Sequence, residues 1–257
     1  MKNLFALLII VTLFPFQAKA QPIEISADNA LEWHREKQQY IAKGNAIATQ
    51  NDTQIQANTL TAHYSSDTGE KSEITKIIAE GNVTITNPDG VITGENGIYI
   101  VADEHATLTG ETLKLTGEKT NVEASESFEY WAGTQKFTAK GNAKITEENR
   151  TLTSDEVTAW FTPKEDTNTA NTNGLKEAEA IGNVIITTDT DTAYGDTGHY
   201  DGIQEIATLK GNVKLHRDKN ILNGDRAVVN LKTGISQLFS DSKSGRVTGK
   251  FFPNSKK

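Results

Sequence analysis

Apolar and polar residues alternate around a recurring Gly-Asn pair. The segments "YIAKGNAIAT", "IIAEGNVTIT", "FTAKGNAKIT", "AEAIGNVIIT" and "IATLKGNVKL" place their glycines at Gly44, Gly81, Gly141, Gly182 and Gly211. Two and four residues to either side of these glycines, all 20 positions are apolar. They are Tyr40, Ala42, Ala46 and Ala48; Ile77, Ala79, Val83 and Ile85; Phe137, Ala139, Ala143 and Ile145; Ala178, Ala180, Val184 and Ile186; Ala207, Leu209, Val213 and Leu215. The positions between them hold 5 apolar residues of 20. A period of two over about nine residues predicts a half-buried strand. Gly-Asn usually marks a hairpin turn. Here it falls inside the strand, with Gly on the apolar side and Asn facing solvent. A mid-strand Gly leaves a gap in the apolar face or lets the strand bend.

A second motif follows each copy: apolar, any residue, small, polar, any residue, small or apolar. It reads Ile55-x-Ala57-Asn58-x-Leu60, Ile92-x-Gly94-Glu95-x-Gly97, Leu152-x-Ser154-Asp155-x-Val157, Ala193-x-Gly195-Asp196-x-Gly198 and Leu222-x-Gly224-Asp225-x-Ala227. The small residue lies 13 positions after the glycine in all five cases. After it the apolar parity changes, as in Leu60, Ala62 and Tyr64, which implies a bulge or bend near the acid or amide. A degenerate copy, "ATLTGETLKL", carries Gly110 with a spacing of 14 to Ala124. One extra residue has entered there, and a bulge is expected. Two polar insertions, "SSDTGEKSE" and "PKEDTNTANTNGLKE", read as surface loops.

The unit is thus about thirty residues and two strands, repeated some seven times. One unit cannot cover its own apolar face, but stacked units can. The expected fold is all-β: an elongated antiparallel double sheet in a single domain over residues 21–257. Ile25 to Trp33 reads as a second-type strand without a first, and Ile235 to Asp241 as a first-type strand without a second. Exposed strand edges invite pairing, so head-to-tail assembly is expected. The alternative is that a tail such as "KSGRVTGKFFPNSKK" covers its own edge.

Residues 1–20 differ from the rest: Lys2, an apolar run from Leu4 to Phe16, and Ala18-Lys19-Ala20. These are the parts of a secretory signal peptide, and the apolar run is short for a membrane span. The chain has no cysteine, so it takes neither disulfides nor a lipid on an N-terminal Cys. Net charge is −8; removing Lys2 and Lys19 with the leader would make it −10. An acidic surface argues against nucleic acid as a partner. His34, His63, His105, His199 and His216 show no spacing suited to a triad or a metal site. No nucleophile elbow or phosphate loop is present. Asp189, Asp191 and Asp196 match no full calcium loop and read as a solvated turn. No catalytic residue and no cofactor is expected.

The segments "IEISADNALEW" and "YIAKGNAIATQNDTQIQANTLTAHY", with the repeated "GNV", resemble the OstA-like family, in particular its LptA-like members. The resemblance implies an open, V-shaped β jelly-roll in the periplasm that carries lipopolysaccharide. The lipid A acyl chains would lie between the two sheets. The implied partners are an LptC-like inner-membrane protein, an LptD-like outer-membrane protein and further copies of the chain joined head to tail. Each exposed methylene costs roughly 0.8 kcal/mol in water, so such a carrier needs continuous apolar contact. The expected groove residues are Tyr40, Ile77, Val83, Ile85, Ile92, Phe137, Ile145, Val184, Ile186, Leu209, Val213, Leu215 and Leu222. The many Ala and Gly on that side leave room for guest chains, or else permit close sheet packing. Trp33, Trp131 and Trp160 are candidates for lipid contact or for ordinary strand-end packing. Two other readings remain: a structural β-solenoid stalk without lipid cargo, and a secreted carbohydrate-acting enzyme on a repeat scaffold.

Overall fold

The computed structural model describes residues 23–65, 73–162, 174–241 and 245–252. The segment read as a signal peptide, most of the two polar insertions and the extreme C-terminus lie outside them. The described residues form eighteen strands and one short 3-10 turn, Ala132–Thr134. Neighbouring strands pair antiparallel, as the alternating pattern requires. The chain folds as two compact units, and the boundary lies between Gly141 and Asn142, inside one strand.

The first unit begins with β1 (Glu24–Ser26) and β2 (Ala30–His34), which both pair with β3 (Gln39–Gln50). A meander continues through β4 (Thr53–Ser65), β5 (Glu73–Asn87) and β6 (Gly90–Ile100). The next four strands are short: β7 (His105–Thr109), β8 (Leu113–Gly117), β9 (Thr120–Ala124) and β10 (Ser127–Trp131). Both β7 and β8 lie against β6. They are the two arms of one repeat strand, broken at 110–112. The extra residue of the degenerate copy therefore does more than bulge the strand; it interrupts the ladder. The arm β10 pairs with the early part of β11 (Lys136–Glu147), Phe128 opposite Ala139.

The second unit contains the rest of β11, then β12 (Arg150–Phe161), β13 (Leu175–Thr187), β14 (Asp191–Asp201), β15 (Ile206–Arg217) and β16 (Asn220–Asn230). The last repeat is split as well. Strand β17 (Ile235–Phe239) covers the Arg226–Asn230 arm of β16, and β18 (Thr248–Lys250) covers Ile221–Asn223. Part of the C-terminal tail thus lies along the edge that the sequence left open.

Turns recur with the repeat. Those leading from a second-type to a first-type strand close on a residue in left-handed backbone: Gln38, Glu104, Gln135, Glu205 and Gly234. The two polar insertions occupy the equivalent places between β4 and β5 and between β12 and β13.

The Gly-Asn pair is the device that bends each strand. In all five copies both residues have positive φ, for example Gly182 at 78° and Asn183 at 50°. The pairing register jumps at four of them: Lys43 to Ala46, Glu80 to Val83, Ile181 to Val184, Lys210 to Val213. Two residues then stand opposite one, which is a β-bulge. Two consecutive left-handed residues are tolerated because Gly has no Cβ and Asn is among the residues that enter this region readily. The sequence reading placed Gly among the inward residues of a continuous strand; instead both Gly and Asn leave the ladder.

The single residue opposite such a bulge lies on the following strand, whereas the residue packed against each glycine comes from the second motif of the preceding one. Gly44 stands against Asn29, Gly81 against Asn58, Gly141 against Glu126, Gly182 against Asp155 and Gly211 against Asp196. Asn82 donates to Asn58 Oδ1 at 3.2 Å, and Asn212 donates to Asp196 Oδ2 at 2.9 Å. In the last repeat Ser240 replaces the glycine and donates to Asp225 Oδ2 at 2.9 Å, while the Asp241 amide donates to the same oxygen at 2.8 Å. The recurring acids of the second motif are therefore partners of the bulge. The predicted parity change follows: Ala57 and Leu60, like Ser154 and Val157, are buried although three positions apart.

Candidate functional site

Bending each strand at its bulge turns both of its arms toward one apolar interior. In the first unit Ile77 and Ala79, before the bulge of β5, line the same cavity as Val83 and Ile85 after it. Ile55, Ile92, Tyr99, Leu108, Phe128, Tyr130 and Phe137 share the wall, with Thr107 and Glu129 as polar neighbours, and the cavity measures about 90 Å³. A larger cavity of about 490 Å³ lies at the N-terminal end of this unit. Ile23, Ile25, Leu31, Trp33, Tyr40, Ala42, Ala48, Leu60, Ala62, Ile74 and Ile77 line it, with Glu32 and Thr61 as its charged and hydroxyl neighbours. Ile77 belongs to both walls.

The aromatic side of the larger cavity is tightly organised. Trp33 Nε1 donates to the Tyr64 hydroxyl at 2.8 Å. Tyr40 lies between the two, 5.8 Å from the Trp33 ring and 4.9 Å from the Tyr64 ring. Trp33 is nevertheless 54% exposed and Leu31 63%, so this end of the interior meets solvent. Arg35 covers the Trp33 ring at 4.3 Å, a cation–π contact at the rim.

In the second unit the arrangement repeats on a smaller scale. Ala178 and Ala180 before the bulge of β13, and Val184 and Ile186 after it, line a cavity of about 50 Å³ with Leu152, Val157 and Leu209.

The expected groove residues distribute as follows. Ile77, Val83, Ile85, Ile92 and Phe137 line the enclosed cavity of the first unit, and Tyr40 the larger one. Val184, Ile186 and Leu209 line that of the second unit. Ile145 and Val213 are each 1% exposed in packed core. Leu215 and Leu222 face each other across β15 and β16, with Leu222 close beneath Gly249 of β18. Sequence reading missed Phe128 and Tyr130, because the broken strands β9 and β10 carry no Gly-Asn signature. It also missed Ile23, Leu31 and Ile74, which lie outside the aligned repeat positions. Trp131 stacks on His105 at 4.5 Å and has Lys136 Nζ 4.2 Å from its ring centroid, and Trp160 is half-buried on β12.

The partly buried phenols near the interior are held neutral. Burial pushes the Tyr130 phenol up to about 12 and raises Tyr99 and Tyr200 as well, so none of them serves as a base near neutrality. The Asp189, Asp191 and Asp196 carboxylates do not converge. They take separate partners: Asn149, Arg217 and Asn212. The sites available to a guest are therefore hydrocarbon surfaces, and their chemistry is apolar binding.

No curated protein matches the chain. Nineteen solved chains do. One of them is LptH of Pseudomonas aeruginosa, described as the LptA-homologous periplasmic component of the lipopolysaccharide transport device. The match has 20% identity and a TM-score of 0.42, and covers 52% of this chain and 95% of that one. The family model for the "LptA/(LptD N-terminal domain) LPS transport protein" matches twice, over residues 24–128 and 121–235. Its second match begins at β9, ahead of the boundary between the compact units at Gly141 and Asn142. With most of its length matched by that model, the chain belongs to the LptA/LptD N-terminal-domain family of lipopolysaccharide-transport proteins.

Proposed function

We propose that the chain is a periplasmic carrier whose apolar interior holds acyl chains of lipid A, and that copies joined head to tail bridge the inner and outer membranes. In this reading an LptC-like protein delivers the lipid and an LptD-like protein receives it. The observation that carries the reading is the apolar cavity of about 490 Å³ at the N-terminal end of the first unit, open beside Leu31 and Trp33. Its wall sets no ionised group against the guest except at Glu32, and Glu32 is paired with Lys43 at 2.7 Å. Recognition then rests on hydrocarbon burial, with sugars and phosphates left in solvent, because protein and lipid phosphates are both anionic. A stalk without cargo would have a filled interior, and this cavity counts against it.

The test is mass spectrometry of lipid retained by the protein purified from the periplasm, together with a photo-crosslinker placed at Ile77. Lipopolysaccharide in the crosslinked product is the expected result. A protein that folds, is exported and never crosslinks to lipid from Ile77 would overturn the reading.

A further inference from the structure

The outward face of the second unit carries a side-chain group that the apolar interior does not use. Glu177 and Glu179 are two residues apart on β13 and so project to the same face. Their orientation is fixed by Ala178 and Ala180, which are buried on the opposite face. His199 on β14 is the register partner of Glu179. Its Nε2 lies 2.8 Å from Glu177 Oε1. One nitrogen of His199 and one oxygen from each glutamate all lie within 4.8 Å of one another.

The surroundings leave this group short of positive charge. Elsewhere on the outward faces, Lys43 neutralises Glu32 at 2.7 Å and Lys140 meets Glu129 at 2.9 Å. Both lysines occupy the position just before Gly-Asn. On β13 that position is Ile181, and among the described residues no lysine or arginine forms an ion pair with Glu177 or Glu179. The nearby Asp201 is committed to its own turn, where it accepts from the Ile203 and Gln204 amides at 2.9 and 2.8 Å. Two carboxylates beside one imidazole thus share a small volume without a cation.

An imidazole nitrogen and two carboxylate oxygens are a ligand set for zinc and similar ions, with bonds of about 2.0–2.2 Å. Ligand atoms around such an ion stand roughly 3.3 Å apart, by the same bond lengths. The present spread closes to that by small rotations of two long glutamate side chains. His199 and Glu177 are 41% and 42% exposed, so an ion reaches them without opening the sheet. We propose that Glu177, Glu179 and His199 form a binding site for a divalent transition-metal ion of the zinc type. The ion joins β13 to β14 from outside and keeps a fourth position open for water or a donor from another molecule. Binding takes the imidazole in its neutral form, and if Nε2 is the ligand the ring proton sits on Nδ1.

The experiment is a zinc chloride titration of the full chain, stripped with chelator and followed by calorimetry in a non-coordinating buffer. One saturable ion per chain is expected. His199→Ala and Glu179→Gln should each weaken binding at least tenfold, while Lys210→Gln should leave it unchanged. Cobalt substituted for zinc should show a visible absorption band in the wild type that is lost in His199→Ala. If a variant fails to fold, the wild type decides alone: cobalt must selectively perturb the NMR signals of His199 and its two glutamate neighbours. Absence of saturable binding, binding by both ligand variants as tight as that of the wild type, or uniform perturbation spread over the acidic surface would each overturn the site. Lipid retention is not at stake in any of these outcomes.

Discussion

Asp155 occupies the space that a side chain on Gly182 would need. A Cβ built on Gly182 would stand 2.1 Å from Asp155 Oδ2 and 3.0 Å from Asp155 Cβ. The carboxylate is held there by Asn183, whose Nδ2 donates to its two oxygens at 3.1 and 3.0 Å. One contact thus links the first motif of one repeat to the second motif of the repeat before it, and it recurs along the chain.

Gly182→Ala should destabilise the second unit by about 1–3 kcal/mol, the cost of a non-glycine residue forced into a left-handed conformation under steric pressure. Oδ2 can swing aside, but Asp155 Cβ cannot. In the Asp155→Ala background the penalty should shrink, because the carboxylate contacts are gone and only the Cβ contact and the backbone term remain. Urea denaturation of the four proteins of this cycle measures the coupling.

Asn183→Ala should cost about 1 kcal/mol, from the lost hydrogen bonds to Asp155 and the positive φ of 50°. Asn183→Gly should lose the bonds and keep the backbone, so its stability should lie between those of wild type and alanine variant. Equal stability of the two variants in thermal unfolding would mean that the left-handed backbone contributes nothing.

Ala48→Phe should fill part of the N-terminal cavity while burying only hydrocarbon. Retained lipid should fall several-fold with little loss of stability. The paired readouts are lipid per protein by mass spectrometry and the urea midpoint. A change in Trp33 emission should accompany lipid release, since Trp33 lines the same wall.

Acid sensitivity should involve Asp191. Burial alone would raise its pKa, but hydrogen bonds from Arg217 and Thr190 outweigh this and hold it below the usual 3.8. A depressed folded value means that ionised Asp191 favours the fold above pH 3.8, and that this contribution is lost as pH falls through the folded value. Asp191→Asn should therefore be less stable than wild type at neutral pH, with the gap closing below about pH 4, as the linkage requires. A constant gap across an acid titration followed by circular dichroism would count against this assignment.

Much of the fold was legible in the chain. Apolar residues two and four positions from Gly44, Gly81, Gly141, Gly182 and Gly211 face the interior because strand side chains alternate, and alternation is a local property. The parity change after Ala57 and Ser154 was legible for the same reason. The acid or amide fourteen residues on was visible too, but its partner was not. Asp155 meets Gly182 only after a loop of variable length has returned the chain, and no spacing rule joins them. The extra residue after Gly110 was countable, yet whether it bulges or breaks a strand depends on what β6 can pair with on either side.

Sequence by itself determined the period, the inward set and the places where the strands bend, because each follows from backbone geometry within a few residues. Only the tertiary structure decided which inward residues border open space and which are packed. Ile77 and Ile145 satisfy the same local rule, yet one lines two cavities and the other is buried in core. Room for a guest is set by what faces a residue across the interior, and convergence of Glu177, Glu179 and His199 by strand register. Both are relations between segments far apart in the chain.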